Sequence, residues 1–345
     1  MKKFSGYQKG VNLGGWLSQY GEYDDSHFNS FIQESDIKTI SEWGLDHVRV
    51  PVDYILLEDN DGNRNETGYR HLHDVKNWCE KYHLNMVIDL HETYGYSFDP
   101  LKKEMDREKF FHDIFLQNRF FRLWDNLSKE FENSSDHLAF ELLNEVVCTT
   151  VYEQWNTILK EAIEVIRKHC PTVPIIVGGV RYNDVNAIPL LGKPTDDNIV
   201  YNFHCYEPFA FTHQKAYWVD GMTKDFNMSY PDTIKHYQEA SRKFSKELGN
   251  NIDKIEGDMV SSQYFRTIFQ AALDHAKENH VALYCGEYGV IDQAESKATL
   301  RWYEDIHKVF REYNIGHCIW NYKEKDFGIS GEHYKTILDG ILKSM

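Results

Sequence analysis

Positive charge is scarce in this chain. Its 345 residues include 38 Lys and Arg against 54 Asp and Glu, which gives a formal net charge of −16. Nucleic-acid backbones and anionic membrane surfaces both favour clusters of basic residues. We therefore expect no nucleic acid and no membrane as a partner, and a neutral substrate is compatible with the composition.

Long apolar runs and closely spaced cysteines are also missing. No stretch approaches the ~20 apolar residues of a membrane-spanning helix, and no apolar segment follows Lys2 and Lys3 as in a signal peptide. This leaves a cytoplasmic protein and a mature secreted form as open alternatives. The six cysteines lack metal-ligand spacing, so we predict no metal site, and three in apolar runs are interpreted as buried free thiols: Cys205, Cys285 and Cys318.

Short apolar runs alternate with longer amphipathic stretches, as in a parallel sheet covered by helices. Eight runs are predicted as strands: Gly10–Leu17, His47–Val52, Asn85–His91, Leu138–Val146, Pro174–Val180, Asn198–Tyr206, Ala282–Gly289 and Gly316–Tyr322. Seven stretches are predicted as helices: Glu34–Leu45, Tyr69–Leu84, Asp106–Glu132, Val151–His169, Gln263–His280, Glu295–Tyr313 and Tyr334–Met345.

This alternation predicts an α/β fold, a (β/α)8 TIM barrel that spans residues 1–345 as a single domain. The alternative is an open doubly wound sheet. That fold would favour a glycine-rich phosphate loop, but Gly10, Gly14 and Gly15 lack the required spacing. We therefore expect no dinucleotide and no other cofactor.

One interval is too long for a plain connection. Residues 209–257 follow the sixth strand, are rich in aromatic side chains and include a helical piece near Ile234–Leu248. Loops of this length are usually functional or form small subdomains. We predict an inserted cap beside the active site, with Phe209 or Trp218 facing the substrate.

Active sites of such barrels lie at the carboxyl ends of the strands. Eight residues stand late in the predicted strands: Arg49, His91, Asn144, Glu145, His204, Tyr206, Glu287 and Trp320. A carboxylate in an apolar run costs much desolvation energy unless it has partners or a function. Glu145 and Glu287 would face each other across the barrel mouth, and such a pair is typical of glycosidic bond cleavage.

Together with the Gly10–Trp16 opening, these residues resemble the family 5 glycoside hydrolases, and within them the clostridial endoglucanase C group. The resemblance covers nearly the whole chain. It implies that Glu145 is the general acid/base and Glu287 the nucleophile of a retaining β-glycoside hydrolase. It also implies supporting roles: Arg49 and Tyr206 contact the nucleophile, His204 orients the acid/base, Asn144 and His91 bind sugar, and Trp320 forms a stacking floor.

Other residues carry weaker signals. Five aromatic side chains are further candidates for sugar platforms: Trp16, Tyr94, Tyr96, Phe209 and Trp218. His91 and Glu92 resemble the start of a zinc-protease helix, but Gly95 stands where the second histidine belongs. Glu92 itself departs from the family, in which many members carry a second histidine.

The resemblance implies a β-glucan polysaccharide or oligosaccharide as the substrate and favours β-1,4-linked glucan, including mixed-linkage glucan and cello-oligosaccharides. A mannanase or an exo-glucanase of the same family remains an alternative. A non-catalytic carbohydrate-binding barrel would have lost one glutamate, and a metal-dependent hydrolase would need clustered ligands near Asn12. We expect a monomer.

Overall fold

The computed structural model describes residues 2–134, 136–243, 252 and 255–345. Eight parallel strands close into a barrel in chain order, and the last strand pairs with the first. The strands are β1 (Lys9–Asn12), β2 (His47–Asp53), β3 (Asn85–Glu92), β4 (Leu138–Glu141), β5 (Ile175–Gly178), β6 (Ile199–Cys205), β7 (Ala282–Tyr288) and β8 (Gly316–Ile319). The predicted (β/α)8 barrel is confirmed, and the open sheet is wrong.

Amphipathic helices cover the outside of the barrel. They are α1 (Asp25–Ser30), α2 (Glu34–Glu42), α3 (Tyr54–Leu57), α4 (Glu66–Lys81), α5 (Lys109–His112), α6 (Ile114–Glu130), α7 (Tyr152–Arg167), α8 (Val180–Asn183), α9 (Phe209–Thr212), α10 (Ile234–Ser241), α11 (Ser262–Glu278), α12 (Ser296–Tyr313) and α13 (Leu338–Ser344). Within the described ranges, no helix has the length and apolarity needed to cross a bilayer.

The strands are buried on both faces, which explains their nearly unbroken apolar runs. Outward-facing side chains pack against the helices in one large core. A smaller cluster closes the amino-terminal end of the barrel and contains Phe4, Tyr7, Val87, Ala139, Ile176, Val200, Ala282, Tyr284 and Cys318. All six cysteines are free, as the sequence predicted for Cys205, Cys285 and Cys318.

Several predicted strands end earlier than expected, among them β1 at Asn12, β4 at Glu141 and β8 at Ile319, and one predicted helix is divided. β4 ends at Glu141 rather than Val146, because the chain then leaves the regular ladder and the Asn144 amide bonds back to Leu90 on β3. The predicted helix over Asp106–Glu132 is two helices, α5 and α6, separated by Asp113. Asp113 has extended backbone, and its carboxylate accepts a hydrogen bond from the Phe115 amide at 2.9 Å.

The connection between β5 and β6 contains an unusual backbone segment. Arg181, Tyr182 and Asn183 have consecutive positive φ angles of 59°, 59° and 53°. Residues other than glycine rarely adopt this left-handed region, since each costs about 1–3 kcal/mol and persists only where its surroundings hold it. The run brings Asn183 under the active site, as described below.

The long interval after β6 contains α9 and α10 in its described part. Six of its residues line the cleft at the carboxyl end of the barrel: Phe209, His213, Tyr217, Trp218, Val219 and Asp220. The predicted helical piece near Ile234–Leu248 is present as Ile234–Ser241, and its last residues lie outside the described part of the chain.

We expect Asp113→Ala to lower the free energy of unfolding by about 1 kcal/mol, because an alanine cannot cap the first turn of α6. Urea denaturation monitored by circular dichroism measures the change. Asp61→Ala is the control, since Asp61 is exposed in a turn and caps no helix. Equal stabilities of the two variants would contradict the assignment of Asp113 as a cap.

Candidate active site

The guanidinium of Arg49 lies at the centre of the site and is completely buried. It contacts three carboxylates from three strands. Its Nε lies 2.7 Å from Glu141 on β4, its Nη1 2.9 Å from Glu287 on β7, and its Nη2 3.0 Å from Asp89 on β3. One cation thus joins β2 to three other strands of the barrel.

Asparagine side chains complete the contacts of this cation. Arg49 also donates to the Oδ1 atoms of Asn12 and Asn144, each at 2.9 Å. Asn202 on β6 donates to Glu141 at 2.8 Å and accepts from the Gly286 amide at 2.8 Å. Because every partner is buried and directional, the network holds the strand ends in one arrangement.

Glu145 and Glu287 lie side by side above this network. His204 Nδ1 is 2.7 Å from Oε1 of Glu145 and 3.7 Å from Oε2 of Glu287. The ligand atoms of these three residues lie within 4.8 Å of one another. The Tyr206 hydroxyl donates to Oε2 of Glu287 at 2.9 Å.

The two glutamates experience different electrostatic surroundings. Burial, and then the negative charge of Glu287, raise the pKa of Glu145 well above its ordinary value. Burial also raises the pKa of Glu287, but Arg49 and the Tyr206 hydroxyl act in the opposite direction. The pair therefore favours a protonated Glu145 beside an ionised Glu287.

The histidines of the site are held neutral. Burial lowers the pKa of His91 to about 4 and the pKa of His204 well below its usual range. Nδ1 of His91 lies 2.5 Å from Oδ2 of Asp89. Its ring lies parallel to that of Trp320, with 6.0 Å between centroids and 5° between planes.

An open cleft of about 1210 Å³ leads to these groups. Glu145, His204, Tyr206, Glu287 and Trp320 line it. Arg49, His91 and Asn144 lie deeper: Arg49 bonds Glu287, the His91 ring is parallel to that of Trp320, and Asn144 bonds Arg49. All eight residues that the sequence singled out are therefore brought together at the carboxyl end of the barrel.

The weaker aromatic candidates differ in their position relative to the cleft. Phe209 and Trp218 line the cleft, and Phe209 stacks on His213 with 4.2 Å between ring centroids. Trp16 does not reach it, because its ring is buried and its indole N–H donates to the Phe28 carbonyl at 2.8 Å.

The two tyrosines of the β3 loop also lie away from the cleft wall. Tyr94 packs under the guanidinium of Arg119, 3.7 Å from its ring centroid. Tyr96 is buried, and its hydroxyl donates to the backbone oxygen of Glu145 at 2.6 Å while accepting from the Val147 amide at 2.9 Å. Tyr96 thus supports the backbone of Glu145 and forms no sugar platform.

Sequence reasoning missed five polar residues of this site: Asn12, Asp89, Glu141, Asn183 and Asn202. Asp89 and Glu141 carried a usable signal, since each is a carboxylate within an apolar strand. Burial raises the pKa of each to about 7. Neither Asn183 nor Asn202 stands out in the sequence.

The trio of Glu145, His204 and Glu287 could in principle supply ligand atoms to a cation. Hydrogen bonds from His204 and Tyr206 already occupy Oε1 of Glu145 and Oε2 of Glu287. The donor set is thus explained without an ion, and the absence of a metal stays a prediction.

Comparison with known proteins identifies the family. The model of the cellulase family, glycosyl hydrolase family 5, matches residues 5–326. The chain belongs to glycosyl hydrolase family 5.

Several family members are similar to this chain over most of its length. It is 38% identical over 337 residues to endoglucanase C of Acetivibrio thermocellus, covering 96% of this chain and 95% of that protein. It is 40% identical over 315 residues to cellodextrinase A of Ruminococcus flavefaciens, covering 91% and 85% of the two chains. The predicted likeness to the clostridial endoglucanase C group is confirmed.

Solved structures agree on the fold. Endoglucanase Cel5A of Thermotoga maritima superimposes with a TM-score of 0.75 at 24% identity, covering 98% of this chain and 97% of that one. This chain is therefore a family 5 glycoside hydrolase on the expected barrel, and a polysaccharide is its class of substrate.

We expect Arg49→Ala to cost about 3–5 kcal/mol of stability, because it leaves buried carboxylates without their cation. The loss should be smaller at about pH 5 than at about pH 8, since Asp89 and Glu141 can take up protons at the lower pH. Urea denaturation at the two pH values measures both effects.

Arg266→Ala provides the control for this prediction. Arg266 pairs with Glu312 on the surface, where the two side chains are 22% and 40% exposed, and such pairs contribute about 0–1 kcal/mol. A loss in Arg49→Ala that matched this control, or that grew towards acid pH, would contradict the proposed electrostatics.

Proposed function

We propose that this chain is a retaining endo-β-1,4-glucanase, with Glu145 as general acid/base and Glu287 as nucleophile. The observation that carries the proposal is the pair of carboxylates at the base of the cleft, with oxygens within 4.8 Å of each other. Retaining sites place their carboxyl groups about 5–5.5 Å apart, whereas inverting sites need about 6.5–9.5 Å to admit a water. The short separation supports double displacement.

In the first step, an ionised Glu287 attacks the anomeric carbon and the glycosidic bond breaks. Its hydrogen bonds to Arg49 and Tyr206 keep it ionised and aim its oxygens. Glu145 gives its proton to the departing oxygen, and its raised pKa suits that role. Glu145, now ionised, then takes a proton from the water that releases the sugar from Glu287.

Two buried nitrogens are placed to bind the sugar at the point of cleavage. Nδ2 of Asn144 and Nε2 of His91 have no hydrogen-bond partner in the part of the chain that the structure describes. Arg49 occupies Oδ1 of Asn144 and Asp89 contacts Nδ1 of His91, so only these free ends can turn to a ligand. Trp320, at the cleft wall, offers the ring beneath that sugar.

The choice of substrate rests on the relatives and on the cleft. The similar proteins are named an endoglucanase and a cellodextrinase, which favours β-1,4-linked glucan, mixed-linkage glucan and cello-oligosaccharides. The open cleft suits internal positions of a chain. We also propose a monomer of one barrel domain in which residues 209–257 form a cap beside the cleft.

Product analysis tests this proposal. With cellohexaose and a panel of soluble β-glucans and mannans, we expect internal cleavage of β-1,4-glucan. Proton NMR of the first product should show the β anomer. Cellobiose or glucose as the sole early product would indicate exo action. Faster release of sugar from mannan than from β-1,4-glucan would indicate a mannanase. An α anomer as the first product would refute retention.

Azide rescue separates the two glutamates. On a dinitrophenyl β-cellobioside, whose leaving group needs no proton, Glu145→Ala should form the glycosyl-enzyme and then stall. Azide should restore turnover with a β-azide product, because it needs no general base. With Glu287→Ala, any rescue should give the α-azide by direct attack from the vacated face.

The matched controls are Glu145→Gln and Glu287→Gln. They keep the size of each side chain and remove only its carboxyl group. Natural substrate should be cleaved at least about a hundredfold more slowly by each alanine variant. If the two alanine variants gave the opposite azide anomers, the two roles would be reversed. If both variants lost less than about a hundredfold in rate, the pair would not be the catalytic centre.

A further inference from the structure

The second nitrogen of His204 faces two side-chain amides. Nδ1 bonds Glu145, whereas Nε2 lies 3.4 Å from Nδ2 of Asn183 and 3.5 Å from Nδ2 of Asn202. A neutral imidazole carries one proton, on either nitrogen, and the partners of the two nitrogens decide which tautomer is stable.

The orientation of Asn202 follows from its other partners. Its Oδ1 accepts from the backbone N–H of Gly286 at 2.8 Å, which only an oxygen can do. Its Nδ2 donates to Oε1 of Glu141 at 2.8 Å. A flipped amide would place like groups together at both contacts, so Asn202 presents its NH2 group to His204.

The orientation of Asn183 is determined in the same way. Its Nδ2 donates to the backbone oxygen of Asn144 at 2.6 Å, and a carbonyl can only accept. The side chain is completely buried and lies against Gly178, where a Cβ atom would stand 2.1 Å from Oδ1 of Asn183. The left-handed run of Arg181, Tyr182 and Asn183 delivers it there.

We propose that Asn183, together with Asn202, fixes the tautomer of His204, so that Nδ1 always carries the proton and donates to Glu145. A proton on Nε2 would instead point at two N–H groups, which is an electrostatic conflict in a buried site. This inference rests on the proposed role of Glu145. Asn183 acts through His204 and is a positioning residue, because it is absent from the cleft lining.

The fixed tautomer has a consequence for the acid/base. Because Oε1 of Glu145 always accepts from His204, the proton for the leaving oxygen must reside on Oε2. After that proton has gone, the same hydrogen bond stabilises the ionised carboxylate that activates water. His204 itself stays neutral, since burial, Arg49 and His91 lower its pKa. Among the described residues, the carboxylates within 4 Å of its ring nitrogens are those of Glu145 and Glu287.

Nitrogen-15 NMR of histidine-labelled enzyme tests the tautomer without any assay of activity. We expect the His204 signals, assigned by their loss in His204→Gln, to show a protonated Nδ1 and an unprotonated Nε2. A protonated Nε2 in the unmodified enzyme would overturn the proposal. The spectrum does not depend on the substrate, so failure of the proposed function would be seen separately in the product analysis.

Asn183→Asp then tests the consequence for Glu145. The new carboxylate would accept a hydrogen bond from a protonated Nε2 and favour an imidazolium, whose charge lowers the pKa of Glu145. The basic limb of the pH profile of kcat/KM should move to lower pH by about one unit. The nitrogen-15 NMR spectrum should show a protonated Nε2. Asn118→Asp, on the exposed side of α6, is the matched control and should leave both unchanged.

Two results would count against the proposal. If Nε2 stays unprotonated in Asn183→Asp, the role of Asn183 in fixing the tautomer is overturned. If Nε2 becomes protonated but the basic limb does not move, the consequence for the pKa of Glu145 is overturned. If circular dichroism shows that Asn183→Asp does not fold, Asn183→Ala replaces it. That variant removes one of the two opposing N–H groups, so the spectrum should show a mixture of tautomers, and an unchanged spectrum would refute the proposal.

Discussion

The buried guanidinium of Arg49 is the interaction on which the arrangement of the barrel mouth depends. It comes from β2 and meets side chains from β1, β3, β7 and the region of β4. Burying several carboxylates in one place is unfavourable unless a cation and directed donors accompany them. The same cation therefore permits the acidic site to exist and determines where Glu287 lies.

A cation of this shape has consequences for geometry as well as for charge. The planar guanidinium binds Glu141 through Nε and Nη2, at 2.7 and 2.9 Å, and turns its remaining N–H groups to Asn12, Asn144 and Glu287. A lysine ammonium would act as a point charge and could not hold this fork of partners. The orientation of Asn144, and hence the free end of its amide, follows from Arg49.

Much of the fold and the site could be predicted from sequence for a physical reason. Strands covered on both faces read as apolar runs, and a polar residue that ends such a run must lie at the mouth of the barrel. That logic places Glu145, Glu287 and His204, and it would equally have found Glu141 and Asp89. It fails for Trp16 and Tyr96, because a buried aromatic ring and a sugar platform have the same composition.

Backbone geometry marks the limit of such reasoning. Asn183 reaches the site through three residues with positive φ angles, none of them glycine. The sequence around Arg181 and Tyr182 does not predict that conformation. Packing around the end of β5 imposes it. The break at Asp113 is the opposite case, because an aspartate that caps a helix is a local signal that sequence could have shown.

The asymmetry between the two glutamates follows from which of them contacts charge. Glu287 bonds a cation and a tyrosine hydroxyl, whereas Glu145 bonds a histidine that burial keeps neutral. A neutral donor stabilises an ionised Glu145 less than a cation would, so the proton shared by the pair resides on Glu145. A neutral His204 with its proton on Nδ1, as proposed, would preserve this difference, as the contact of Arg49 with Glu287 does. An imidazolium beside Glu145 would reduce the difference in pKa on which the proposed acid catalysis depends.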